Sequence, residues 1–254
     1  MKDICVIVPV HEFNKDVEVL LKRAIASVPS KVEIRLSCKN GLNKELTDAF
    51  KKNKNVVIYE SESQDIPSDF CTLVNQAVGG TKWFSILEYD DTYTDIWFDN
   101  FKKYADNYDD ISVFLPLEDL VEFKDDKFLS FGNEPVWASS FSTEIGYIDN
   151  DCLQDYFDFY MTGGIFKTDD WEELGGLKPS MKLTFWYEFL LRATSKGKKI
   201  FVIPKVGYIH RLGRENSLVE DYKKNMSEKE SEWWINTAKK ECFFKEDRNK
   251  TYSE

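Results

Sequence analysis

The sequence has no apolar run approaching the roughly 20 residues of a membrane-spanning helix, and its charge is one-sided. Lysine and arginine together number 34, against 45 aspartates and glutamates, which gives a formal net charge of -11. An acidic surface repels the phosphates of nucleic acids and anionic lipids, so we expect no broad nucleic-acid binding. The N-terminal residues enter an apolar pattern without the cleavage region of a signal peptide, so we expect a cytoplasmic protein.

Cysteine is scarce and scattered along the chain. The five cysteines contain no CxxC pair, and Cys5 and Cys71 stand inside apolar runs. This usage indicates a reducing compartment and small core residues rather than a disulfide framework.

Strand and helix patterns alternate about four times in the first ninety residues. Short apolar runs at 4–8, 32–36, 56–59 and 83–87 predict buried strands, and the segments between them carry helical spacing. Asn14 or Asp16 is the expected cap of the first helix. Such alternation predicts a mostly parallel α/β sheet that binds its ligand at the carboxyl ends of the strands.

The second half of the sequence is less regular. It predicts a strand at 111–115, loops or hairpins at 117–150, a helix at 185–193 and strands at 200–203 and 207–210. From residue 220 onward we expect a charged helix that docks through Trp233 and Trp234.

Acidic residues follow the fourth predicted strand in the segment Glu88-Tyr89-Asp90-Asp91. Clustered carboxylate oxygens are the ligands that hard divalent cations prefer, and such cations also bind diphosphates. A solvated acidic turn is the alternative interpretation, and it is common in acidic proteins.

A second polar cluster contains His210, Arg211 and Arg214, and His210 is expected just after a strand. Histidine can complete a metal shell, and arginine forks match phosphate oxygens. The alternative is a structural histidine beside two surface arginines.

Several segments in this order resemble the family-2 glycosyltransferases. They are Val6-Ile7-Val8-Pro9-Val10-His11, the stretch 75–87, Glu88-Tyr89-Asp90-Asp91, Gly163-Gly164-Ile165-Phe166-Lys167 with 171–177, and in part 185–192. The resemblance covers roughly residues 4 to 217.

The resemblance implies a GT-A (Rossmann-like) fold, with flanking helices and a helical C-terminal extension, and transfer of sugar from a nucleoside-diphosphate sugar to a hydroxyl acceptor. It further implies a UDP-sugar donor, inversion at the anomeric carbon, a divalent metal (Mn²⁺ or Mg²⁺) and a place in polysaccharide biosynthesis. The implied division is a glycosyltransferase domain at 1–217, with a nucleotide-sugar half at 1–92 and an acceptor half at 93–217, and a charged extension at 218–254.

The resemblance also implies roles for individual residues. The implied metal ligands are Glu88, Asp90 and His210. The implied acceptor contacts are Gly163, Gly164 and Trp186. The implied nucleotide-sugar contacts are Pro9, Val10, Glu12, Asn75, Glu88, Tyr89, Asp90, Arg211 and Arg214.

Two departures from the family pattern leave questions open. Ser37-Cys38-Lys39-Asn40-Gly41 stands where the family often has an acidic base-contacting motif, so the nucleotide is open. Trp186 stands where the family has its general base, an aspartate. Inversion needs a carboxylate to take the acceptor proton, and Glu188, Asp91 and Asp158 are the alternatives. Glu188 is the residue we favour; its other interpretation is a surface pair with Arg192 at i+4.

The aromatic residues carry two interpretations. Trp186 is the best candidate for stacking on a sugar, and Trp83 is expected in the core. Trp137 and Tyr160 fit either interpretation.

Two other functions remain open at this point. One is a sugar nucleotidyltransferase, although the loop at 9–14 lacks the glycines that such enzymes usually carry. The other is a relative that binds the donor without transferring the sugar.

Overall fold

The chain folds around one mixed sheet, which the computed structural model describes at residues 3–61, 66–124, 127–133, 146–156, 161–212 and 224–242. Within these ranges the strands follow one another in the order β3 (Val56–Ser61), β2 (Glu33–Lys39), β1 (Ile4–Val10), β4 (Trp83–Ile86), β9 (Ile165–Lys167), β6 (Ile111–Lys124), β10 (Lys199–Leu212) and β5 (Thr92–Tyr93), with β7 (Lys127–Phe131) on β6 and β8 (Tyr147–Ile148) on β10. The α/β fold class predicted from the alternation is confirmed.

The first half supplies the parallel part of the sheet. β1 pairs in parallel with β2 and β4, and β2 pairs in parallel with β3. Asn14 caps the first helix, because its side chain accepts from the main-chain N–H groups of Asp16 and Val17. The elements are β1 (Ile4–Val10), α1 (Lys15–Ala26), β2 (Glu33–Lys39), α2 (Asn43–Phe50), β3 (Val56–Ser61), α3 (Ile66–Ala77) and β4 (Trp83–Ile86).

The second half adds antiparallel neighbours that the sequence patterns did not predict. β9 runs antiparallel between β4 and β6, and β5 runs antiparallel to β10. The elements are β5 (Thr92–Tyr93), α4 (Trp97–Ala105), β6 (Ile111–Lys124), β7 (Lys127–Phe131), β8 (Tyr147–Ile148), α5 (Asn150–Asp155), β9 (Ile165–Lys167), α6 (Thr168–Leu174), a 3-10 segment (Pro179–Thr184), α7 (Phe185–Ser195), β10 (Lys199–Leu212) and α8 (Glu228–Glu241).

The two strands predicted at 200–203 and 207–210 are one strand, β10, which pairs in parallel with β6. Pro204 has no N–H for the ladder, and the register shifts between Val202 and Val206. The shift divides the strand pair without ending it. His210 therefore lies inside a strand and not after one.

Each face of the sheet is covered by a separate apolar core. Val6 and Val8 of β1 belong to the core under α1, α2 and α4, whereas Cys5 and Ile7 belong to the core under α3, α6 and α7. This alternation is the two-residue period of a strand that is buried on both faces. The cysteines are free and buried, as small core residues are.

The C-terminal helix α8 packs on α7, although not through both tryptophans as predicted. Trp233 is 58% exposed, whereas Ala238 and Cys242 are buried against the second core. Lys178 donates to the main-chain oxygen of Glu241 at 2.6 Å and fixes the end of the helix. Within the part of the chain that the structure describes, no helix has both the length and the apolar character to cross a membrane.

We expect Leu36→Ala to lower the free energy of unfolding by about 2–5 kcal/mol, because it leaves a cavity in a central strand. Leu36 is 0% exposed, whereas Val57 on the edge strand β3 is 41% exposed, so Val57→Ala is the matched control. Urea unfolding of the two variants measures the difference. Equal losses would contradict the assignment of β3 to the sheet edge.

Candidate functional site

The acidic segment forms a tight loop directly after β4. Leu87 donates its N–H to the Ile7 carbonyl at 3.0 Å, and Asp91 donates its N–H to the Glu88 carbonyl at 3.1 Å. One carboxylate oxygen from each of Glu88, Asp90 and Asp91 lies within 4.8 Å of the others. Asp90 and Asp91 are buried, which is unusual for carboxylates that lack compensating charge.

Neighbouring elements hold the main chain of this loop in place. Arg23 of α1 donates to the Asp90 carbonyl at 2.8 Å, and the hydroxyl of Tyr208 in β10 accepts from the Glu88 N–H at 3.2 Å. Ser27, the C-cap residue of α1, accepts from the N–H of Tyr93 in β5 at 3.1 Å. The main chain that carries the carboxylates is thus held by α1 and β10.

Asp91 connects the loop to β10 through both of its oxygens. Its Oδ1 accepts from the Arg211 N–H at 2.7 Å, and its Oδ2 lies 3.0 Å from Nδ1 of His210. Burial lowers the pKa of His210, but the hydrogen bond to Asp91 and the charges of Asp91, Glu88 and Glu118 outweigh burial and raise that pKa to about 10. The ring is therefore an imidazolium at neutral pH, and it balances part of the acidic charge.

The carboxylate group has the chemistry of a site for a hard divalent cation. Mg²⁺ and Mn²⁺ prefer carboxylate oxygens, and the three side chains supply them within a short distance of one another. The residues present therefore fit such a cation, with Asp91 added to the predicted ligands Glu88 and Asp90. His210 lies against Asp91 and outside this group, so its predicted role as a metal ligand stays a prediction.

The first strand ends beside the same loop. Pro9 and Val10 are the last two residues of β1. The Tyr89 hydroxyl donates to Glu12 Oε1 at 3.2 Å. The rings of His11 and Tyr89 have centroids 5.6 Å apart. The predicted nucleotide-sugar residues at 9–12 and 88–90 are therefore brought together at the carboxyl edge of the sheet, where open α/β sheets bind ligands.

Comparison with known proteins identifies the type of fold. Neither a protein-family model nor a curated protein matches the sequence of this chain. Residues 1–349 of S. aureus TarS in complex with UDP give a TM-score of 0.59 at 14% identity, over 94% of this chain and 72% of that chain. The complex with UDP-GlcNAc gives 0.60 at 12%, over 85% of this chain and 60% of that chain. A longer TarS structure gives 0.57 at 13%, and this chain covers 44% of it.

This chain has a GT-A-type fold. The predicted central sheet with flanking helices is confirmed. In this GT-A-type fold the acidic loop leads from β4 into β5 at the sheet edge.

Gly163 and Gly164, the predicted acceptor residues, lie close to the end of β4. Gly163 donates its N–H to the Ile86 carbonyl at 2.9 Å, and Ser85 donates to the Gly164 carbonyl at 2.7 Å. Gly163 has φ of +75°, and a Cβ there would lie 2.4 Å from the Tyr208 ring. Glycine is required there because the chain passes directly over that ring.

Asn75 of α3 bonds to the main chain of Leu177 through both ends of its amide. Its amide donates to the Leu177 carbonyl at 2.8 Å and accepts from the Leu177 N–H at 3.0 Å. Because both ends of the amide are occupied, Asn75 joins α3 to the chain after α6. The structure gives this side chain a structural task in place of the predicted nucleotide contact.

Glu188 is fully buried in an ion-pair cluster, where a general base for an acceptor is not accessible. Its carboxylate lies 2.9 Å from Lys178 Nζ and accepts from Arg192 at 2.9 and 2.8 Å. Arg192 also donates to the carbonyls of Leu174 and Gly176. The pair with Arg192 weighed from the sequence is thus present, but in the core and not on the surface. This burial removes the reason for preferring Glu188 as the base.

The remaining predicted residues fall into two groups. Trp186 packs against Phe70 and Phe185, with ring centroids 5.3 and 5.0 Å away, and Trp83 is buried in the core as predicted. The others lie outside the described residues: Arg214, Asp158, Trp137 and Tyr160.

One acidic residue near the loop escaped the sequence analysis. Glu118 lies on β6 opposite Tyr208, and its carboxylate oxygens are buried. Burial raises the pKa of Glu118 well above its usual value; the charge of His210 opposes the rise, and those of Asp91 and Glu88 add to it. The sequence shows only an acidic pair, Glu118-Asp119, and the pairing of β6 with β10 decides which of the two faces the loop.

We expect Glu188→Gln to lower the free energy of unfolding by about 3–5 kcal/mol, because it leaves buried positive charge without its partner. Glu173 is a suitable control: it pairs with Lys198 at 2.6 Å, but its side chain is 65% exposed. Glu173→Gln should cost at most about 1 kcal/mol. Urea unfolding measures both variants. A Glu188→Gln protein of unchanged stability would argue against the buried cluster.

Proposed function

We propose that this protein transfers a sugar from a nucleoside-diphosphate sugar to a hydroxyl acceptor, assisted by a divalent metal and with inversion at the anomeric carbon. The observation that carries the proposal is the group of Glu88, Asp90 and Asp91 oxygens within 4.8 Å of one another, at the ligand-binding edge of a GT-A-type fold.

The donor side of the proposed site is formed by the end of β1 and the acidic loop. Pro9, Val10, Glu12 and Tyr89 are the proposed contacts of the nucleotide. The similar TarS structures hold UDP and UDP-GlcNAc, which supports a UDP-sugar as the donor. The division into a donor half at 1–92, an acceptor half at 93–217 and an extension at 218–254 is part of the same proposal.

A divalent cation held by Glu88, Asp90 and Asp91 would neutralise the negative charge that develops on the leaving diphosphate. The chain holds the loop that carries these carboxylates in place, through the bonds of Asp91 to β10 and the contact of Arg23 in α1 with the loop. Arg214 is the proposed donor to the diphosphate oxygens, since guanidinium forks match phosphate geometry. The guanidinium of Arg211, which was predicted with it, lies 4.3 Å from the centroid of the Phe123 ring, on the face of β10 opposite His210.

A relative that binds the donor without transfer is the second candidate, and two observations favour it. Trp186 packs among aromatic rings where the related family has its base, and the nearest carboxylate on α7, Glu188, is buried in ion pairs. Asp91 is engaged by β10 and is poorly placed to accept an acceptor proton. A transferring enzyme therefore needs a base from another segment, and Asp158 is the proposed one.

We expect Asp90→Ala to weaken the Mn²⁺-dependent binding of UDP at least about tenfold, because it removes a proposed ligand of the metal. Asp95→Asn is the control, since Asp95 is an exposed carboxylate just beyond the loop. Isothermal titration calorimetry with UDP, with and without Mn²⁺, measures the effect. Equal affinities of wild type and Asp90→Ala would refute the metal site.

Donor hydrolysis separates the two candidate functions. With Mn²⁺ and UDP-GlcNAc, a transferase should release UDP slowly even without an acceptor, and Asp158→Asn should abolish transfer while leaving UDP affinity within about twofold. A protein that binds UDP tightly in calorimetry but releases none from common UDP-sugars would establish the binding-only function.

A further inference from the structure

Glu118 faces the acidic loop from the sheet beneath it. It lies beyond Pro116 on β6, in register with Tyr208 of β10. Side chains at paired positions of neighbouring strands project from the same face of a sheet. On this face Tyr208 contacts the Glu88 N–H and His210 contacts Asp91, so Glu118 shares the face on which β10 meets the loop.

The carboxylate of Glu118 is buried and makes no hydrogen bond to the described residues. Both of its oxygens are inaccessible to solvent, and neither has a hydrogen-bond partner among the described residues. Such a group costs free energy, and in native proteins it calls for a specific cause, such as a missing water or ion. The raised pKa of this carboxyl agrees with that environment.

Asn133 bonds to the main chain of β6 around Glu118 and not to the Glu118 carboxylate. Asn133, the polar side chain next to this part of β6, donates to the Glu118 carbonyl at 2.9 Å and accepts from the Leu120 N–H at 2.7 Å. The main chain at this position is therefore held firmly, while the side chain between those two bonds has no partner. A residue whose main chain is held and whose buried carboxylate makes no hydrogen bond is a candidate for binding a ligand through that carboxylate.

We propose that Glu118 is a further member of the cation site, where its carboxylate accepts a hydrogen bond from a water molecule bound to the metal. This inference rests on the proposed function, since Glu88, Asp90 and Asp91 hold the cation. Glu118 lies outside the group of mutually close oxygens, so contact through water suits it better than direct ligation. Magnesium-like cations retain several waters in proteins, and groups that bond to the ligands of a metal tune its affinity.

The proposal predicts opposite effects on stability and on metal binding. Without a cation, the unsatisfied carboxylate is a burden on the fold, so Glu118→Met should raise the melting temperature or leave it unchanged. With a cation, the same change removes the group that accepts from the metal-bound water, so we expect the Kd for Mn²⁺ to rise about tenfold or more. Glu118→Gln keeps a hydrogen-bonding group and should fall between wild type and Glu118→Met in Mn²⁺ affinity.

The test measures Mn²⁺ binding by the electron paramagnetic resonance of the free ion, and melting temperature with and without Mn²⁺, in the full chain. Asp119→Asn is the matched control, because it removes a carboxylate from the adjacent residue on the opposite face of β6; both readings should equal those of wild type. Asp90→Ala reports separately on the proposed function.

The outcomes distinguish the two proposals. Weaker Mn²⁺ binding by Glu118→Met without loss of stability supports the inference. If wild type binds Mn²⁺ through Asp90 and Glu118→Met binds it equally well, the inference is refuted and the proposed function stands. A fall in the melting temperature of metal-free Glu118→Met together with that of Glu118→Gln would show a purely structural role. Absence of Mn²⁺ binding by wild type would refute both.

Discussion

The bond between Asp91 and β10 is the constraint on which the candidate site depends. Arg23 and Tyr208 bond to the main chain of the loop that contains Asp91, and the two oxygens of Asp91 connect the same loop to the Arg211 N–H and the His210 ring. The imidazolium offsets part of the cost of burying Asp90 and Asp91 side by side. Because Asp91 is held from β10 and Arg23 holds the main chain of the loop from α1, the Asp91 carboxylate and the loop that carries the other two are in place before any ligand binds, which is the pre-organisation that charge stabilisation requires.

The residues that bond to the loop from the sheet belong to β10, which pairs with β6. Both strands contain a proline near their middle, Pro116 and Pro204, and the register shifts there without ending the pair. The part beyond the shift continues past the end of β4 and presents Glu118, Tyr208 and His210 to one face. If the strands ended at their prolines, the acidic loop would lose its contacts with Tyr208, His210 and Arg211. The interruption of the ladder therefore belongs to the construction of the site.

Sequence patterns predicted the features that depend on short stretches of chain. The strands of the first half, the cap at Asn14 and the proximity of Glu88 to Asp90 follow from local periodicity and spacing. The bonds of Asn75 to Leu177 and of Glu188 to Lys178 were not predicted, for a common physical reason. A partner that is distant in sequence or approaches from another element leaves no local pattern. Glu118 escaped notice for the same reason, because strand pairing decides its direction.

The acidic residue of α7 has a different role from the one that the resemblance implies. In the family that the sequence resembles, the corresponding segment supplies the base, whereas the acidic residue of α7 pairs with Lys178 and Arg192, which in turn donate to the Glu241 and Gly176 carbonyls. A carboxylate in that position stabilises the end of α8 and the turn after α6 only while it stays charged and enclosed. A general base needs access to an acceptor and a carboxylate that can take up a proton. These requirements conflict, so proton removal in this chain, if sugar is transferred, depends on a residue outside α7.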